Sequence, residues 1–233
     1  FPDGIMGPEL MDLFRQQAQK FNAETHYLRV DRVDLSERPF KLYIGDDVHL
    51  TETIIISTGA SAKLLGLESE SQLMGHGVSA CATCDGFFFK DKKVLVIGGG
   101  DSALEEAAFL TKFASSVAIV HRRNELRASK IMQERTFNNP KIHIIWNAVV
   151  EDMLGDPATG GLTGVVLKDT KSSKTTQMDC DGVFIAIGHN PNSDIFRDQL
   201  ELDDKGYIKT QSDNTHTSVP GVFASGDIQD KVY

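Results

Sequence analysis

The sequence predicts an α/β protein. Three observations carry this: one β-α-β run with glycines at its first turn, short apolar β-branched segments spread along the chain, and an amphipathic helix near the start. The run opens with a strand at residues 92–97 (KKVLVI) that enters Gly98-Gly99-Gly100. A helix follows at 103–110 (ALEEAAFL), and a second strand at 115–120 (SSVAIV) ends in His121-Arg122-Arg123.

The other elements follow in order. Residues 7–21 place Leu10, Leu13, Phe14, Ala18 and Phe21 near helical spacing. Strand-like pieces lie at 26–33, 40–44 and 50–57, the last within TETIIISTGA, which reads as a buried strand delivering a loop at Thr58-Gly59. A Gly- and Ser-containing stretch reaching Gly77 reads as a crossing between domains. Further strands are expected at 141–146, 147–154, 164–168, 182–187 and 221–224.

With 233 residues the chain is long enough for one large domain or two modest ones. A formal charge of −9 disfavours a nucleic-acid partner. No apolar run reaches the roughly 18 residues of a membrane-spanning helix. Phe1-Pro2-Asp3-Gly4 has neither the charged nor the apolar region of a secretory signal and no initiator Met, so the chain is expected to begin inside a longer protein and to be cytoplasmic. Three cysteines are too few for a disulfide scaffold.

Four motifs carry chemistry. Gly98-x-Gly100-x-x-Ala103 sits between a strand and a helix, the context in which this pattern binds a dinucleotide. Gly98 permits the tight turn, Gly100 lets backbone approach a pyrophosphate, and Ala103 allows close helix packing, while the helix N-terminus offers N–H groups to phosphate. The second strand then selects the nucleotide. An NAD site places a carboxylate there for the ribose hydroxyl. Here His121, Arg122, Arg123 and, slightly later, Arg127 offer forked cationic donors that suit a 2′-phosphate, which favours NADP(H). His121 could equally cap the strand.

The third motif is Cys81-Ala82-Thr83-Cys84-Asp85. No second Cys or His pair stands at zinc spacing, so no metal is expected and redox chemistry is preferred. Cys180 is isolated and reads as a small packed hydrophobe. In a cycling dithiol one thiolate attacks and the other resolves. Asp85 is either a general acid for a leaving thiolate or an ordinary turn residue. A dithiol beside a nicotinamide site calls for an intermediate electron carrier, and a flavin is the expected one. The fourth motif, Gly221–Asp227 (GVFASGD), is a short strand ending in Gly-Asp, suited to a carboxylate that bonds ribityl hydroxyls.

Taken in order, SACATCDG, VIGGGDSALEEA, HRRNELRASK, VFIAIGHNPNS and TSVPGVFASGDIQD resemble the low-molecular-weight, NADPH-dependent thioredoxin reductases, and the likeness runs over essentially the whole chain. That resemblance implies a two-domain FAD/NAD(P)-binding, Rossmann-like disulfide reductase in which an NADPH domain is inserted into a split FAD domain. On this chain the pieces are 1–61, 62–188 and 189–233. It implies that Cys84 is the flavin-side thiol, Cys81 the thiol that attacks thioredoxin, and Asp85 the proton donor. It further implies that Gly98, Gly100, Asp101, Ser102 and Ala103 form the NADPH phosphate loop, that Arg122, Arg123 and Arg127 with His121 hold the 2′-phosphate end, and that Thr58, Gly59 and Asp227 contact FAD. Such enzymes work as homodimers whose domains rotate so that the flavin meets NADPH and the dithiol in turn.

Two departures accompany the likeness. No GxGxxG unit for the FAD pyrophosphate precedes Phe1, and the chain stops at Tyr233 before the Tyr-Arg-Gln segment that follows Gly-Asp in the family. An incomplete FAD domain beside a complete NADPH domain is the expectation. Two rival readings stand beside the reductase: a truncated NADP(H)-binding redox module without flavin or reductase turnover, open to a recruited activity, and a peroxide-system flavoprotein with the same core.

Overall fold

The computed structural model describes residues 4–230, so both chain ends on which the reading of the termini rests lie outside the described residues. The chain forms two compact units, one running to Thr58 and resuming at Ser193, the other Gly59–Asn192.

The first unit begins with helix α1, Gly7–Gln19, started by Pro8 in its first turn with Glu9 beside the positive end of the helix dipole. Strands β1 (Arg32–Asp34), β2 (Phe40–Ile44) and β3 (Asp47–Thr51) form an antiparallel sheet, and β4 (Ile54–Ile56) follows. The strand expected at 26–33 is confined to its last residues. That expected at 50–57 divides into β3 and the start of β4's parallel pairing, because Thr51 Oγ1 donates to the Thr53 carbonyl at 2.8 Å and turns the chain. Ile56 is in the core but Ile55 is 73% exposed, so this is not the doubly buried strand its composition predicts. The pleat sends alternate side chains to opposite faces, and among the described residues only one face is covered.

The second unit opens with β5 (Ala60–Ala62), α2 (Glu68–Leu73), β6 (Val78–Ser79) and the short helix α3 (Ala82–Asp85). Next come β7 (Lys93–Gly98), α4 (Asp101–Leu110), β8 (Ser116–His121), α5 (Lys130–Phe137) and β9 (Ile142–Trp146). An antiparallel meander, β10 (Ala148–Asp156), β11 (Gly161–Asp169) and β12 (Thr175–Asp179), precedes β13 (Gly182–Ala186) and β14 (His189–Pro191). β14 pairs with β5, so the two strands by which the chain enters and leaves this unit lie side by side.

The central sheet is wholly parallel, in the order β6-β13-β7-β8-β9. Strand β7 shows why: Val94 and Val96 face α4 and Phe184, while Leu95 and Ile97 face the meander. Both faces are buried, as in a parallel sheet covered on each side. α4 lies on the first face through Ala103, Leu104, Ala107 and Leu110, all fully buried at helical spacing. The first unit closes with β15 (Val222–Ala224), which pairs with β4 over a separate core of Phe40, Phe196, Leu200, Ile208 and Ile228.

Removing the Leu104 side chain leaves a cavity between α4 and the sheet. The expected cost of Leu104→Ala is about 3 kcal/mol, read as a lower urea midpoint with unchanged slope. A loss under about 1 kcal/mol would contradict the packing described.

Candidate functional site

The carboxyl end of β7 meets α4 across Gly98-Gly99-Gly100. A Cβ on Gly98 would lie 2.4 Å from the Ala186 carbonyl and 2.6 Å from Ala103 Cβ, so strand, helix and the neighbouring β13 close on one another only through glycine. A Cβ on Gly99 would lie 2.2 Å from His121 Nδ1. At Gly100 an added Cβ meets nothing within 4 Å, and no side chain caps the N-terminus of α4. The turn is therefore crowded behind and open in front, with helix N–H groups facing the opening.

In front lies a cavity of about 420 Å³ lined by Gly98, Gly99, Gly100, Ser102, Ala103, His121, Arg122, Arg127, Ile187 and Gly188 among others. Arg122, Arg123 and Arg127 are all exposed, but Arg123 is not among the residues lining the cavity. Asp101 turns elsewhere: one carboxylate oxygen accepts the Ser129 N–H at 2.8 Å and the Ser129 hydroxyl at 2.7 Å, bonds that hold its carboxyl below the usual range, with the hydroxyl contributing most.

His121 is 5% exposed and joins the loop to the arginine-bearing segment. Its Nδ1 lies 2.9 Å from the Gly98 carbonyl and its Nε2 2.9 Å from the Glu125 carbonyl. The Gly99 carbonyl accepts the Arg127 N–H at 2.8 Å and the Ala128 N–H at 3.2 Å. Together with Asp101 and Ser129 these bonds lace residues 98–101 to residues 125–129. The sequence offered strand cap and nucleotide contact as alternatives for His121. In the structure its ring binds two backbone carbonyls and also borders the cavity.

Cys81 and Cys84 are joined in a disulfide. Cys81 precedes α3, and its sulfur accepts the Cys84 N–H at 3.2 Å. The Ser79 hydroxyl accepts the Cys81 N–H at 3.0 Å and fixes the approach from β6. Cys84 is exposed, Cys81 half-buried, and Phe87 and Phe88 just beyond are 68% and 69% exposed. Asp85 closes α3, its N–H donating to the Cys81 carbonyl at 3.1 Å, and it borders a different cavity of about 370 Å³ with His76, Ser79, Lys92 and Asp181.

Neither cysteine lines the cavity beside Gly100. The two are linked instead through α4, whose N-terminus faces that cavity and whose flank carries α3. On that flank is Glu106, a residue the sequence reading did not single out. Burial pushes its carboxyl up to about 7, against a hydrogen bond from the Ala82 N–H, and its Oε2 is buried without a partner. Its signal in the sequence is position: Glu106 stands three residues after buried Ala103. Cys180 is buried, and its thiol is pushed up to about 12, mainly by burial and then by Asp181.

In the other unit, the parallel strands β4 and β15 end together. Ser57 and Ser225 hydroxyls lie 3.0 Å apart, Thr58 follows β4, and Gly226 and Asp227 follow β15. Gly226 has φ +74° and nothing within 4 Å of an added Cβ, and Asp227 is exposed. Gly59, at φ +67° and likewise open, is the first residue of the Gly59–Asn192 unit. Among the described residues no helix is long and apolar enough to cross a membrane, and no His, Cys, Asp and Glu side chains cluster to hold a metal ion.

Residues 6–233 match the Pyridine nucleotide-disulphide oxidoreductase family. The chain is 48% identical to a thioredoxin reductase of Rickettsia prowazekii and 51% identical to one of Mycolicibacterium smegmatis, in each case over all of this chain and over 76% and 74% of the relative. Among solved structures it superposes on the thioredoxin reductase of Streptococcus pyogenes with a TM-score of 0.81 at 40% identity, covering 98% of this chain and 74% of that one. On the thioredoxin reductase from Giardia duodenalis the TM-score is 0.84 at 39% identity, covering 100% and 77%.

The crowding on one side of the glycine turn and the space on the other predict different outcomes for adjacent substitutions. Gly99→Ala forces His121 out of its bonds and is expected to lower thermal stability by about 2 kcal/mol. Gly100→Ala is expected to leave the melting temperature within a degree or two while weakening dinucleotide binding at least about tenfold, or 1.4 kcal/mol, by calorimetric titration. Equal behaviour of the two variants would contradict this geometry.

Proposed function

This chain belongs to the pyridine nucleotide-disulphide oxidoreductases, among the thioredoxin reductases, and on that premise we propose that the Gly59–Asn192 unit binds NADPH while Cys81 and Cys84 carry its electrons to a protein disulfide, that of thioredoxin. The observation that carries this reading is the shared scaffold: one helix, α4, presents its uncapped N-terminus to a cavity edged by Arg122 and Arg127 and its flank to the disulfide turn.

NADPH fits the cavity by charge and by shape. The pyrophosphate meets the open backbone at Gly100 and the N–H groups of Asp101, Ser102 and Ala103. Arg122 and Arg127, at the cavity edge, hold the 2′-phosphate; Arg123 is exposed but does not line the cavity. Asp101 and His121 act one step back, by fixing the phosphate loop against the arginine segment.

The net reaction consumes one NADPH and one proton for each disulfide opened; the electron pair of the hydride ends in two thiols, and NADP⁺ leaves. When bound, FAD supplies a carrier that accepts a hydride and passes an electron pair to a disulfide. The residues at the ends of β4 and β15 suit it: the backbone at Gly226 is open to close approach, the exposed Asp227 carboxylate would accept hydrogen bonds from ribityl hydroxyls, and Thr58 follows the adjoining strand. On the disulfide, the Cys84 N–H directed at the Cys81 sulfur favours Cys81 as thiolate and attacking nucleophile. Cys84 then resolves, and Asp85 is the adjacent carboxyl to supply a proton. Exposed Phe87 and Phe88 offer an apolar landing beside the sulfurs, which suits a protein substrate better than a small one. Two copies in the cytoplasm is the setting that agrees with the family likeness and with a dithiol that must cycle.

Two outcomes test this. Cys84→Ser is expected to abolish NADPH-dependent disulfide reduction while leaving the NADPH dissociation constant unchanged; turnover that persists contradicts the dithiol assignment. Arg122→Ala with Arg127→Ala is expected to weaken NADPH by about 2–4 kcal/mol and NADH by less than about 1, since two charge-assisted contacts serve only the 2′-phosphate. Equal losses would contradict the assignment of these arginines.

A further inference from the structure

Glu106 packs against the disulfide turn from α4, and nothing in the reaction described so far uses it. It occupies the flank of α4 on which α3 sits. One part of its carboxylate accepts the N–H of Ala82, the residue that follows Cys81 and is itself 1% exposed. The other oxygen, Oε2, is buried and has no partner. As an anchor for Ala82 alone, a neutral acceptor would serve at lower cost, because a buried charge with an unpartnered oxygen loses its hydration without return.

We propose that Glu106 is a positioning residue that holds the Cys81–Cys84 turn through Ala82 and takes up a proton when the disulfide is reduced. The proposal rests on the reading of this pair as the redox centre. Reduction breaks the S–S bond and adds two electrons, supplied in the enzyme by NADPH. One sulfur becomes a thiol by taking a proton, the other stays a thiolate, and Glu106 passes from carboxylate to carboxylic acid with a second proton. A negative charge on the turn and another beneath it repel, so the thiolate makes the acid form of Glu106 more favourable. Burial already brings this carboxyl to about 7, where such coupling falls at neutral pH. The charged groups on the elements packed against α4 are Asp85, Lys93, His121, Lys130, Glu134 and Arg135, and none of them adds to the shift, whose causes are burial and then the Ala82 N–H. The redox pair is thus the charge that changes next to Glu106.

The test is the equilibrium of the Cys81/Cys84 pair with dithiothreitol from pH 6 to pH 9, read by alkylation and mass, in the wild-type chain and in Glu106→Gln, which keeps an acceptor for Ala82. The wild-type tendency to be reduced, divided by that of the variant, is expected to fall about tenfold across this range, the equivalent of one unit of coupling. A merely structural role gives a ratio constant with pH, and that result overturns the proposal. Should Glu106→Gln fail to fold, the infrared difference spectrum of reduced minus oxidised wild type, with and without carboxyl-labelled glutamate, is expected to show a protonated glutamate carbonyl gained on reduction; no labelled band overturns it. A pair that does not equilibrate with dithiothreitol at all, although both cysteines are accessible after unfolding, sinks the redox-centre reading and this inference together.

Discussion

The close approach of Gly98, Ala103 and Ala186 is the constraint on which the Gly59–Asn192 unit depends. Strand β7 must end, turn and start a helix within three residues while β13 runs alongside, and the space left for side chains at that junction is essentially none. Fixing the junction fixes the direction of α4, and with it the outward aim of the helix N-terminus. The parallel sheet then brings the end of β8 to the same edge, where His121 ties the turn to the arginine segment. The open turn at Gly100 and the arginine segment are tied together by the His121 ring, the Asp101 carboxylate and two main-chain hydrogen bonds to the Gly99 carbonyl.

α4 also joins the two candidate sites of the unit. Along a helix of ten residues, about 15 Å long, the first turn faces the cavity beside Gly100 and the flank carries the disulfide turn. The disulfide does not border the cavity beside Gly100. On the proposed reading, that arrangement calls for an intermediate carrier. It agrees with the Gly226-Asp227 end of β15 in the other unit, open and polar as a flavin sugar chain requires.

Much of this was legible in the sequence, for identifiable reasons. The β-α-β core announces itself because buried parallel strands are continuous apolar runs and because its turn admits only small residues. The dithiol announces itself by spacing. Elements without an apolar period did not: α5 buries only Thr136, and β12 (TTQMD) is a mostly exposed edge strand. The same holds for partners far apart in sequence. Asp101 lies in the phosphate loop by motif, yet its carboxylate is taken by Ser129, 28 residues on. Glu106 was not singled out in the sequence, since only the seating of α3 on α4 buries it. The stretch before Gly77, read as a simple crossing, contains a helix fixed by buried Glu70, whose carboxylate accepts the N–H groups of Leu65 and Gly66 at 2.9 and 2.8 Å.

The central claim is that electrons from NADPH reach Cys81 and Cys84 and stop there until a protein disulfide collects them. Anaerobic titration of the FAD-loaded chain with NADPH, followed by alkylation and peptide mapping, measures this directly. The account predicts two new thiols for each NADPH oxidised, both in the peptide carrying Cys81 and Cys84, with Cys180 unmodified until the protein is unfolded. NADPH oxidised without thiols appearing at that pair, or thiols appearing elsewhere in the chain, would contradict it.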